Sequence, residues 1–160
     1  MKPIVTRVLI ALGALLVLGA LNAAIVGKER IRRDGDVVYL RLAPVDPRSL
    51  MQGDYMALRF ALVQELERDR GALREGEIGH ADVALDANRV ASLSAPDGTA
   101  RIRLRYRVRG GHVWLGTNAF FFEEGSAARF ANARYGEFRV DRVSGEAVLV
   151  GLRGEALKGL

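Results

Sequence analysis

Two stretches of the chain concentrate side chains able to do chemistry. The first is Pro44-Val45-Asp46-Pro47-Arg48, which leads into Gly53-Asp54-Tyr55. Asp46, Arg48 and Asp54 could converge there on a small polar molecule or on a charged partner surface. The same residues also suit a purely structural loop. Pro44 and Pro47 fix φ, Gly53 permits a positive φ, and both aspartates can accept backbone N–H bonds in Asx-type turns. That capping role accounts for the loop without a ligand and is the favoured reading. The second stretch carries Glu124, Arg134, Tyr135 and Glu137. It is expected to form a paired, partly buried polar network beside a short helix, with Tyr135-Gly136 as a helix stop and the ring packed under a sheet.

Catalytic constellations are thin. A carboxylate-dependent hydrolase could use Asp46 or Asp54 with Glu124, and this is the enzymatic alternative. A serine–lysine dyad lacks a suitable base, because Lys28 abuts the apolar N-terminal run and Lys158 sits in the tail. His80 and His112 lie in loop or turn contexts with no serine in a nucleophile elbow beside them. The chain has no cysteine, so thiolate chemistry and disulfides are excluded. His80 with Asp82, and Glu123 with Glu124, supply too few convergent ligands for a metal site. No catalytic residue, metal or cofactor is assigned, and the balance leans away from an enzyme.

These residues must be positioned by what surrounds them. Val8 to Val26 carries no charge and has only Asn22 as a strong polar group. A helix of about 20 apolar residues crosses a bilayer core, so this run is just long enough. A cleaved signal peptide has an apolar core of roughly 7–15 residues and a small-x-small cleavage site, and this run fits neither. An uncleaved anchor over residues 1–27, meeting the lipid bilayer through residues 8–26, is therefore expected. The flanks pull in two directions. Lys28, Arg30, Arg32 and Arg33 outnumber Lys2 and Arg7 and favour a cytoplasmic C-terminal part. A short basic tail ahead of an apolar run instead suits a signal-anchor. An extracytoplasmic domain on the inner (cytoplasmic) membrane is the expectation.

The formal net charge is +5. Arginine and acidic residues are interspersed, as in Glu65-Leu66-Glu67-Arg68-Asp69-Arg70, which reads as a solvated mixed surface. No nucleic-acid partner is expected.

Beyond the anchor, residues 28–160 alternate with period two between Gly-rich breaks and predict one β-rich domain. Val37–Leu42 is a first strand. After Gly53, Met56, Leu58, Phe60 and Leu62 form the core face of a second, opposite Tyr55, Ala57, Arg59 and Ala61. A helical turn or two is expected over Gln64–Arg70, then a loop to residue 79. Short strands follow at Asp82–Asp86 and Arg89–Ser94, and Pro96-Asp97-Gly98 is a turn. Arg101–Arg109 alternates Ile102, Leu104, Tyr106 and Val108 with five arginines. Gly110-Gly111 then suits a hairpin turn into His112–Leu115. The arginine face could be an anion or nucleic-acid platform, but no aromatic interleaves with it for base stacking. The solvent face of a half-buried antiparallel sheet is the favoured reading. Ala119–Glu123 is a strand, Ser126–Asn132 a short helix capped by Ser126, and Glu137–Arg142 with Glu146–Leu152 a closing hairpin. The fold class is mainly β (α+β): a transmembrane helix, then an antiparallel β-rich domain with one or two short helices.

Gly53-Asp54-Tyr55-Met56-Ala57-Leu58-Arg59-Phe60 resembles the Gly-Asp-Tyr-x-x-Leu-x-Tyr motif that names the GDYXXLXY family, with Phe60 replacing the final tyrosine. Pro44-Val45-Asp46-Pro47-Arg48 is similar to the element that precedes that motif in related chains. Phe122-Glu123-Glu124-Gly125 and Ala133-Arg134-Tyr135-Gly136-Glu137 resemble its second block. The resemblance implies a membrane-anchored, exported domain and brings no assigned activity. Phe60 has no hydroxyl, which points to packing at that position. The functional expectation is an extracytoplasmic binding or accessory module for an integral membrane protein, with Asp46, Arg48, Gly53, Asp54, Tyr55, Glu124, Arg134, Tyr135 and Glu137 as candidate contacts. A structural envelope protein is the remaining alternative.

Overall fold

A computed structural model describes residues 3–43, 51–52, 55–94 and 99–160. The candidates Asp46, Arg48, Gly53 and Asp54, and the expected turn at Pro96-Asp97-Gly98, lie outside the described residues.

The chain opens with one helix, α1 (Pro3–Asp34), which continues past Gly27 without a break. Its segment Ile4–Asp34 is long and apolar enough to cross a membrane, and the most apolar stretch of it is wholly uncovered by the rest of the protein. Leu9, Leu16 and Ile25 are all more than half exposed. Such a surface is unfavourable in water and natural in lipid.

The remainder is mainly β with short helices, an α+β arrangement. The elements are β1 (Asp36–Arg41), β2 (Met51–Gln52), β3 (Tyr55–Ala57), α2 (Ala61–Arg70), β4 (Ile78–Leu85), β5 (Ala91–Ser92), β6 (Arg101–Arg109), β7 (His112–Trp114), β8 (Ala119–Phe121), α3 (Ala127–Phe130), β9 (Tyr135–Val140), β10 (Ala147–Arg153) and a 3-10 turn at Glu155–Leu157. They pair into three antiparallel sheets ordered β1-β9-β10, β2-β3-β8 and β5-β4-β6-β7. The inward faces share one core containing Val38, Leu40, Met56, Phe60, Leu104, Val108 and Phe138. Phe60 meets Phe138 edge-on, with ring centroids 5.3 Å apart. Each such side chain contributes about 1.5–3 kcal/mol by leaving water.

Several expectations shift at their boundaries. Met56, Leu58, Phe60 and Leu62 are all buried, as the alternation required. The strand stops at Ala57, however, and α2 begins at Ala61. Leu62 and Leu66 are buried while Gln64 between them is exposed, which is helical spacing; a strand would put all three on one face. The loop expected up to residue 79 ends earlier, because β4 starts at Ile78 and pairs with β6 from Ile78↔Arg107 to Ala84↔Arg101. Gly79 explains the extension. The Tyr106 ring covers it so closely that a Cβ there would lie 2.1 Å from the tyrosine oxygen. The Gly110-Gly111 turn forms as expected, with φ of 59° and 74°. Ser126 precedes α3 but does not cap it; its hydroxyl donates instead to the Glu123 carbonyl at 2.6 Å. Tyr135-Gly136 is not a helix stop: both residues open β9, paired between Arg41-Leu40 and Arg153-Leu152.

Candidate functional site

The β1-β9-β10 sheet sets out most of the polar candidates. Strand alternation sends Val38, Leu40 and Phe138 into the core, and places Tyr39, Arg41, Tyr135, Glu137 and Arg153 on the opposite face. Glu137 is nonetheless only 5% exposed, the one buried charged residue among the described residues. Arg153 neutralises it: Nε donates to Glu137 Oε2 at 2.5 Å, and Nη2 reaches the same oxygen. A fork donating twice to one carboxylate is a strong, geometrically specific pairing. The C-terminal tail closes over that guanidinium. Gly159 bridges to Arg153, and a Cβ there would sit 2.7 Å from Arg153 Nη1. Arg129 fixes the tail by donating to the Leu160 carbonyl at 2.8 Å.

Tyr135 lies on the same face, where Arg41 Nη2 donates to its hydroxyl at 3.4 Å and the guanidinium lies 5.6 Å from the ring centroid. Arg134 works through its backbone: its N–H donates to the Arg153 carbonyl and its carbonyl accepts from Leu42, both at 2.8 Å. Its side chain is exposed. Glu124 does not join the group. It sits exposed in the turn before α3, where Gly125 has a φ of 80°. The four residues expected as one network therefore separate into a neutralised buried pair, a stacked tyrosine, a backbone tie and a free-standing surface carboxylate.

Tyr55 begins β3, and its ring lies 5.8 Å from that of Phe121 on the neighbouring β8. Phe121 is 74% exposed. Beneath this pair the sheet is held by Met56, 3% exposed, and by Phe130, which contacts both Phe120 and Phe122. The short sheet thus has an apolar underside and an aromatic outer edge.

A further polar cluster joins α1 to the domain. Ile31 is buried, Gly35 N–H donates to the Ile31 carbonyl at 2.9 Å, and Arg139 donates to the Gly35 carbonyl at 3.3 Å. Asp36 then accepts from Arg142 and Arg89. The Arg142 hydrogen bond, with the charges of both arginines, holds the Asp36 carboxyl below its usual range against the opposing effect of burial. Lys28 pairs with Glu146 at 2.5 Å. Among the described residues no group of His, Asp and Glu is placed to hold a metal ion.

A family model described as GDYXXLXY protein matches residues 17–152. The chain belongs to the GDYXXLXY family. No curated protein matches it, and no solved structure does either. From Tyr55 onward the GDYXXLXY motif is a packing device: Met56, Leu58 and Phe60 are all buried, and Phe60 rests on Phe138. The final motif position therefore needs a ring and not a hydroxyl.

Sequence reasoning missed Arg153, Arg41, Asp36 and Phe121. The closing hairpin held part of the signal for the first. Its register extended without a break sets residue 153 opposite residue 134, and the irregularity between Leu149 and Gly151 shifts it opposite residue 135, beside Glu137. Arg41 and Phe121 depend on partners far along the chain.

Proposed function

We propose that this chain is a single-pass membrane protein whose β-rich domain is a binding or accessory module for an integral membrane partner. The observation that carries this reading is the exposed Phe121 ring, tilted against Tyr55 from the strand beside the one that holds the family motif. A large aromatic left three-quarters in water is unfavourable alone and characteristic of a contact surface. The mounting of the domain supports it. α1 runs unbroken from its apolar segment into Ile31 and Gly35, so the domain is held at a fixed height and orientation above a bilayer. The partner would present an apolar or aromatic patch at that height. An extracytoplasmic location follows the signal-anchor reading of the N-terminus.

The test places a photo-reactive phenylalanine analogue at Phe121 and a second at Arg48, in cells carrying the full chain. A single dominant adduct with one integral membrane protein, lost in a Tyr55→Ala background and identified by mass spectrometry, supports the module. A folded, membrane-inserted chain that gives no adduct from either position refutes it.

A further inference from the structure

The five arginines of β6 do not share one environment. Toward the start of the strand, Arg103 pairs with Asp82 at 3.3 Å. Toward its end, Arg105, Arg107 and Arg109 make no ion pair among the described residues. These three line an open groove of about 290 Å³, together with Trp114 and, from α1, Lys28. The one acidic side chain in the groove, Glu146, is already engaged by Lys28. Arg109 also lies over the Trp114 ring, 5.9 Å from its centroid, and the indole N–H donates to the Arg109 carbonyl at 3.2 Å.

Lys28 fixes the height of this groove. The uncharged run ends at Val26, so Lys28 is about 3 Å further along the helix axis. The headgroup layer beyond the hydrocarbon core is about 5–7 Å thick on each side. Lys28 therefore lies within that layer, and its ammonium touches the domain at Glu146. Tryptophan beside several arginines is the composition that settles at a membrane interface.

Resting on the reading of α1 as a bilayer span, we infer that the Lys28–Arg105–Arg107–Arg109–Trp114 groove is an anionic-phospholipid site that seats the domain on the headgroups. The phosphates would lie against the three guanidiniums that have no carboxylate partner among the described residues, with Trp114 at the level of the glycerol backbone. Each basic residue at an anionic surface multiplies the seated population by about fivefold, so removing three charges reduces it about a hundredfold.

Trp114 is the only tryptophan, so its fluorescence reports this groove alone. The full chain is placed in nanodiscs of phosphatidylcholine, or of phosphatidylcholine with phosphatidylglycerol, each carrying a headgroup-spin-labelled lipid that quenches at close range. Strong quenching is expected in anionic discs, weakening in neutral discs, at high salt, and in R105Q/R107Q/R109Q. The R105K/R107K/R109K variant should keep it, which separates lost charge from lost fold. Quenching equal in the two lipids, or unchanged by the glutamine variant, overturns the site. A chain that enters discs without any quenching of Trp114 overturns the site alone. A chain that fails to enter discs at all overturns the spanning helix as well.

Discussion

Removing Arg153 should be far more damaging than its position on the outer face of a sheet suggests. In R153M the Glu137 carboxylate, with 7% of its side chain exposed, loses both donors on one oxygen. Breaking a fully buried pair from one side costs about 3–5 kcal/mol. Arg153 is itself 34% exposed, so water can follow where its side chain was removed. The expected loss is therefore lower, about 2–3 kcal/mol. The double variant E137M/R153M removes the stranded charge and should return to within about 1 kcal/mol of the parent, since apolar replacement of a buried pair is often neutral. The assay is urea unfolding of the full chain in micelles, followed by Trp114 fluorescence. A loss below about 0.5 kcal/mol in R153M would show that Glu137 is already solvated or otherwise partnered. A double variant as unstable as the two single losses added together would refute the coupling itself.

Other substitutions probe the remaining joints. Gly79→Ala places a Cβ against the Tyr106 ring, which is 1% exposed and cannot swing aside, so thermal unfolding should show a loss of about 2–3 kcal/mol. Gly35→Ala drives a Cβ to 2.5 Å from the Ile31 carbonyl and 3.0 Å from the Val140 nitrogen. It should loosen the helix from the sheet, read as faster amide exchange at the end of α1 and the start of β1. For Asp36, a carboxyl lowered from its ordinary 3.8 contributes stability that is present above that value and lost as pH falls through the lowered one. Arg142 and Arg89 are largely exposed, so the contribution is about 1 kcal/mol. Urea midpoints for the parent should fall as the pH drops below the ordinary 3.8, and Asp36→Asn should flatten that part of the curve. An identical slope in the variant would assign the acid sensitivity to other carboxylates.

Much of the architecture was legible because local patterns carry it. The uncharged run Val8–Val26 specifies a helix of spanning length, since no proline breaks it and its one strong polar side chain, Asn22, donates to the Leu18 carbonyl one turn back. Arg101–Arg109 and its Gly110-Gly111 turn specify a hairpin, because alternation of period two and paired positive-φ residues are both local properties. The core face of Met56, Leu58 and Phe60 likewise follows from side-chain type and spacing. The family motif was legible too, together with the inference that its last residue packs.

Tertiary structure alone decided which polar groups meet. Glu137 is silenced by Arg153 through the register of β9 with β10, and Tyr135 is met by Arg41 through the pairing of β1 with β9, across most of the length of the domain. No periodicity in the chain encodes that second pairing, because register between distant strands is set by the packing of the whole sheet. The same holds for the arginines of β6. By composition they are one uniform solvent face. Packing turns Arg103 toward Asp82 and leaves Arg105, Arg107 and Arg109 beside Lys28, where the helix leaves its apolar segment. Sequence supplied the charges, and the fold decided what each of them faces.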